Sequence, residues 1–117
     1  MEEDIRQSAR AVKDAAGRPV MVLEDKEARN IETRLKRSRH EIYRTALSLG
    51  ICPMRYLRNL ESITIADQYT LSGKTAAVVG AGGLGGHVIT LMARIGIGSV
   101  IVIDPDAFDE TNLNRQA

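Results

Sequence analysis

Apolar positions in the first half of the chain recur at steps of three and four. Ile5, Ala9, Val12 and Ala16 share that spacing, which lines one face of a helix, so the pattern predicts a helix over 4–16 with Gly17 as its stop. Arg18-Pro19-Val20-Met21-Val22-Leu23 is a short apolar run behind a turn signal; it reads as a strand or an extended connection, and periodicity does not separate the two. From Asp25 to about Leu49 the helical spacing returns. Ile31, Leu35, Ile42, Ala46 and Leu49 form one stripe, and Lys36, Arg37, Arg39 and Arg44 lie largely off it, as on a solvated face. Gly50 and then Pro53 end this helix in the expected order. A third helical piece is expected between Pro53 and about Tyr69.

The pattern changes near Ser72. Thr75-Ala76-Ala77-Val78-Val79 is a continuous apolar run of the kind found in strands buried on both faces of a parallel sheet, and it runs directly into Gly80-Ala81-Gly82-Gly83-Leu84-Gly85-Gly86. Val88, Ile89, Leu91, Met92 and Ile95 then mark a helix closed by Gly96 and Gly98, and Ser99-Val100-Ile101-Val102-Ile103-Asp104 reads as a second buried strand ending in a carboxylate. The fold class expected is therefore α/β. Residues 72–117 would begin a Rossmann-like nucleotide-binding domain with its first βαβ unit, and 1–71 would form an α-helical N-terminal region.

The glycine spacing is G-x-G-x-x-G, located between a strand and a helix. Gly80 permits a tight turn, Gly82 lets backbone N–H groups approach a phosphate, and Gly85 allows the helix to pack closely on the sheet. The helix start adds unpaired N–H donors and the positive end of its dipole. Asp104 follows at about the 20-residue distance at which a strand-end carboxylate can accept hydrogen bonds from ribose hydroxyls. An ordinary solvated strand end or helix cap is the plain alternative for Asp104, and to this point a nicotinamide dehydrogenase fits as well as an ATP enzyme.

Composition removes other classes. Hydrophobic content of 44% with 26% charge is that of a globular protein, and with 3% aromatic residues and no Trp the core must be built from Val, Ile, Leu, Ala and Met. The net charge of +1 combines a mildly basic first half with a mildly acidic second half. Acids interleave with the basic residues and stacking aromatics are missing, so nucleic-acid binding is not expected. A single cysteine, Cys52, allows no internal disulfide and, with His40 and His87, no zinc site; a structural thiol and a reducing, cytoplasmic setting are the expectation. No apolar run approaches the ~18 residues of a membrane span, so no membrane association is expected.

The residues after the second strand narrow the reaction. Arg55-Tyr56-Leu57-Arg58-Asn59 is similar to an R-Y-x-R-Q opening, Gly80 to Gly85 to a G-x-G-G-L-G turn, and Asp104-Pro105-Asp106 with Asn112-Leu113-Asn114-Arg115-Gln116 to D-x-D and N-L-x-R-Q blocks. Together they resemble the ThiF/MoeB/HesA family of ubiquitin-activating-type adenylyltransferases, over roughly Arg55 to Gln116. Two positions depart from the pattern: Asn59 stands in place of Gln, and His87 in place of a smaller residue, so neither is given a role.

The resemblance implies that ATP reacts with the C-terminal carboxylate of a small β-grasp sulfur-carrier or ubiquitin-like protein to give an acyl-adenylate. It implies that Gly80, Gly82, Gly83 and Gly85 cradle the nucleotide, that Asp104 holds the ribose with Asp106 beside it, that Asn112 and Arg115 reach the phosphates, and that Arg58 is a finger contributed by the second subunit of a dimer. Residues holding magnesium, and any zinc site, would lie past Ala117, so the chain by itself is expected to be inactive. With only two parallel strands, Val78, Ile101 and Ile103 are expected to face solvent and to favour self-association. Two other readings stand at this point: a piece of an NAD-dependent dehydrogenase, and a non-catalytic dimerisation or interaction module built on the first 50 residues.

Overall fold

The computed structural model describes the backbone of residues 1–80, 83–104 and 107–111 and the side chains of 1–80 and 85–103. The chain divides into two units, Met1–Tyr69 and Thr70–Ala117.

The first unit opens with helix α1 (Glu2–Ser8), and the helix expected over 4–16 stops there because Ala9 is extended, at φ −74° and ψ 150°. Residues Arg10–Lys13 instead form strand β1, antiparallel to β2 (Pro19–Leu23), with Arg10 opposite Val22 and Lys13 opposite Pro19. The turn between them decides the matter. The Asp14 carboxylate accepts from the backbone N–H groups of Ala16 and Arg18, each at 2.9 Å, and Gly17 takes a left-handed φ of +80°. Gly17 is thus a hairpin residue rather than a helix stop. A third strand, β3 (Cys52–Pro53), joins β2 in parallel and gives the order β1-β2-β3. The N-terminal region, expected to be helical, is therefore mixed helix and sheet.

The single helix expected over 25–49 is two, α2 (Asp25–Leu35) and α3 (Arg39–Ser48). Lys36 turns left-handed at φ 54°, and the Ser38 hydroxyl caps α3 by accepting from the Glu41 N–H at 3.1 Å. The apolar stripe survives the break: Ile31 of α2 and Ile42 and Ala46 of α3 are fully buried with Ile5, Val22 and Leu23 in one core. The third helical piece is also split, into a 3-10 helix, η1 (Met54–Glu61), and α4 (Ile65–Ser72). Between them Thr64 and Asp67 form a reciprocal cap, each side chain accepting from the other's N–H at 3.0 Å. Helix α4 ends at Ser72, beyond the expected Tyr69.

The second unit consists of β4 (Thr75–Val79), helix α5 (Gly83–Ile95), β5 (Ser99–Asp104) and β6 (Ala107–Thr111). Strands β4 and β5 are parallel, Thr75 beside Ser99 through Val79 beside Ile103, and β6 folds back antiparallel on β5. The sheet thus has three strands, because the stretch after Asp104, which carried only a motif in the sequence, pairs as a strand. Val78, Ile97 and Val100 are its buried core, and Val88, Ile89, Met92 and Ala93 of α5 pack on them. Val78, expected to face solvent, is inside. Its neighbour Val79 is 75% exposed, and Ile103 is exposed as expected. Leu91 and Ile95 lie on the outer side of α5. Among the described residues no helix is long and apolar enough to cross a membrane.

Loss of one capping acceptor measures how far the α2–α3 break depends on local chemistry. Ser38→Ala should lower unfolding free energy by about 1 kcal/mol, read from the urea midpoint of far-UV circular dichroism; an unchanged midpoint contradicts the role given to Ser38.

Candidate functional site

In the second unit the functional geometry starts from the parallel register. Because Val79 pairs with Ile103, Gly80 and Asp104 lie next to each other at the carboxyl ends of β4 and β5. Gly80 has φ +74°, and a Cβ built on it meets nothing within 4 Å. Glycine is needed here for its dihedral and not for space. The Gly80 N–H donates to the Ile103 carbonyl at 2.8 Å, which ties the turn to the end of β5 and commits that donor to the sheet. Any phosphate N–H contacts from this turn must therefore come from residues after Gly80.

Helix α5 starts at Gly83, and Gly85 in its first turn is buried, whereas Gly86 and His87 are exposed. A Cβ on Gly86 also meets nothing, so that glycine answers no steric demand. For Gly83 and Asp104 only the backbone is described; Asp104 closes β5 and pairs with Ala107. Gly82, Asp106, Asn112 and Arg115 lie outside the described residues. The structure therefore brings the turn at Gly80 to the end of β5, and α5 starts three residues after that turn.

In the first unit the motif residues Arg55, Arg58 and Asn59 all lie on η1. Arg55 is drawn inward: its Nη2 donates to Asp25 Oδ2 at 3.2 Å, and the other Asp25 oxygen accepts from Tyr43 Oη at 2.6 Å. The Arg55 guanidinium lies 5.5 Å from the Tyr43 ring centre and that of Arg39 5.8 Å from it, while Arg39 also pairs with Glu32 at 2.9 Å. Tyr56 meets Tyr43 edge to face at 5.9 Å between centres. Burial pushes the Asp25 carboxyl up, but the hydrogen bonds from Tyr43 and Arg55 and the charges of Arg55 and Arg39 outweigh it and hold the group below the ordinary carboxylate value. Tyr43 is raised to about 12, by burial first and then by its bond to Asp25, so it stays a donor throughout the neutral range.

Arg58 takes no part in this cluster. It is exposed, and it enters none of the ion pairs among the described residues. Asn59, given no role from sequence, donates through Nδ2 to Oε1 of the fully buried Gln68 at 3.0 Å. Cys52 is buried, and burial pushes its thiol up to about 12, which suits a structural thiol and not a nucleophile. Sequence reasoning passed over Asp25, Tyr43 and Gln68. Asp25 is 30 positions from Arg55, too far for any helical or strand spacing to signal the pair.

The ThiF family pattern matches residues 56–117. Among curated proteins, the adenylyltransferase and sulfurtransferase UBA4 of Yarrowia lipolytica is 48% identical over 52 residues, 44% of this chain and 13% of that protein. The tRNA threonylcarbamoyladenosine dehydratase of Bacillus subtilis is 39% identical over 62 residues, 53% of this chain and 24% of that protein. The SAMP-activating enzyme E1 of Haloferax volcanii is 38% identical over 64 residues, again 53% of this chain and 24% of that protein. The matches thus span from 13% to 24% of the length of these relatives. No solved structure matches the chain.

The Asp25 clamp has a pH signature. A carboxyl whose folded value is depressed contributes stability that is complete above its unfolded value, near 3.8, and is lost as pH falls through the folded value. Between about pH 5 and about pH 2 the wild type should therefore lose more unfolding free energy than Asp25→Asn. Equal losses in denaturant titrations across that window contradict the clamp.

Proposed function

We propose that this chain, which belongs to the ThiF family, is the nucleotide-binding front of an ATP-dependent adenylyltransferase that activates the C-terminal carboxylate of a small β-grasp carrier protein. The observation that carries the reading is the shared edge. A glycine turn and a strand-end aspartate lie side by side at the carboxyl ends of two parallel strands, with a helix starting three residues after the turn, where open α/β sheets bind nucleotides. We read β4, α5 and β5 as the first βαβ unit of a Rossmann-like domain whose region is 72–117.

In this reading Asp104 accepts from the ribose hydroxyls, with Asp106 beside it. Gly82, Gly83 and Gly85 present N–H groups or a close approach to the phosphates, and Gly80 sets the turn that makes this possible. Asn112 and Arg115 donate to phosphate oxygens; a planar guanidinium can give two parallel bonds to such a group. Arg58, exposed on η1, reaches the triphosphate of the second subunit in a cytoplasmic homodimer. The carrier's carboxylate oxygen attacks the α-phosphorus, the acyl–phosphate bond forms, and the bond to the departing pyrophosphate breaks with its electron pair. Negative charge grows on the pyrophosphate, and positioned cations and N–H donors lower the barrier by meeting it there. Among the described residues no group of three His, Cys, Asp or Glu side chains could hold a metal ion.

One relative is named for a tRNA nucleoside and not for a protein, so the substrate needs its own control. ATP–pyrophosphate exchange by the full-length protein should depend on a β-grasp carrier ending in glycine. Exchange stimulated by tRNA alone overturns the carrier assignment and leaves adenylation standing. Asp104→Ala should weaken ATP binding by roughly tenfold, measured calorimetrically. Tighter binding of NAD than of ATP by the wild type overturns the whole reading in favour of a dehydrogenase.

A further inference from the structure

The 3-10 helix η1 repeats every three residues, so Arg55, Arg58 and Glu61 share one face, Tyr56 and Asn59 a second, and Leu57 and Leu60 a third. Of these, Tyr56 is buried, Leu57 and Leu60 are packed against the core, and Arg55 is held inward by Asp25. Arg58 is left on the outward part of the face that Arg55 anchors one turn earlier. Asn59 secures the other end twice. Its carbonyl accepts from the N–H groups of Ser62 at 3.0 Å and Ile63 at 2.9 Å, and its side-chain amide donates to the fully buried Gln68 of α4. Helix α4 is in turn held by Arg44 of α3, whose guanidinium lies 4.4 Å from the Tyr69 ring centre.

The charge balance matters as much as the geometry. Arg55, Arg58 and Glu61 share one face; the charge of Arg55 is paired with Asp25, and Arg58 enters no ion pair among the described residues, with the exposed Glu61 one turn further on. Folding has already fixed the backbone on both sides of Arg58, so a ligand that engages it need not order the segment.

We propose that Asn59 and Asp25 are positioning residues for Arg58: anchoring η1 to α4 at one end and to α2 at the other, they fix the backbone that presents Arg58 to the triphosphate of the second subunit. The proposal rests on the reading of Arg58 as a phosphate contact, and it assigns a role to Asn59, one of the two positions at which this chain departs from the family motif.

The test uses the full-length protein and two probes, ATP and AMP, titrated calorimetrically under the same magnesium concentration. AMP lacks the phosphates that Arg58 would reach. Arg58→Ala should weaken ATP by roughly tenfold or more and leave AMP within about twofold. Asn59→Ala and Asp25→Asn should each weaken ATP by roughly threefold to tenfold with AMP again unchanged, and neither should weaken ATP further when added to Arg58→Ala, as expected of residues acting through it. If Asn59→Ala does not fold, Gln68→Met removes the same hydrogen-bond acceptor at similar volume and takes its place. Equal weakening of ATP and AMP, or losses that add to that of Arg58→Ala, overturn the positioning role. ATP affinity unchanged in Arg58→Ala also overturns it while leaving adenylation intact, whereas a wild type that binds neither nucleotide brings down the functional reading itself.

Discussion

Gly80 must turn the chain at φ +74° while its N–H stays bonded to the Ile103 carbonyl, and the carboxyl edge of the second sheet is organised around those two demands. A side chain with a Cβ would cost about 1–2 kcal/mol in that conformation even though the surrounding space is open. The bond to Ile103 carries the parallel register one step past Val79, so the turn cannot slide relative to β5 without breaking it. Together with the β4–β5 pairing, that cross-link keeps the turn beside the end of β5. It also means that the N–H of the first glycine serves the fold.

The first unit meets a different constraint. Arginines near an aromatic core must be neutralised or driven out, since an uncompensated buried charge is costly. Asp25 does this for Arg55 while it accepts from Tyr43, and Glu32 does it for Arg39. The consequence is a division of labour within one short motif, with Arg55 used for structure and Arg58 left outward. Two arginines three residues apart on a 3-10 helix share a face, so the partner found by the first decides what the second can do.

Much of the element order was legible from periodicity, and the failures have common causes. The helix expected over 4–16 became α1 and β1 because an Asp14 turn and pairing with β2 outcompeted a weak repeat that contained two alanines. The helix expected over 25–49 broke at Lys36, where no glycine or proline announces a stop and Ser38 alone hints at a new start. The apolar stripe continued across the break because both helices bury against the same core, which is why periodicity read through it. Strand β6 escaped notice because its residues, Ala107–Thr111, are mostly polar, and among the described residues they pair with β5 alone.

The candidate site divides along the same line. Local sequence determined the glycine turn after an apolar run, the helix behind it and the aspartate at the end of the next strand, since each is a short-range demand on dihedral angle, spacing or charge. The motif blocks likewise determined the family. Tertiary structure alone decided that the turn and Asp104 share an edge, through the register of β4 on β5, and that Arg55 is drawn inward while Arg58 is not. It also supplied the partners Asp25 and Gln68, which neither periodicity nor motif could point to. The physical reason is range: a hydrogen bond between residues 30 positions apart leaves no trace in local spacing, and it exists only once packing of the core has brought α2, α3 and η1 together.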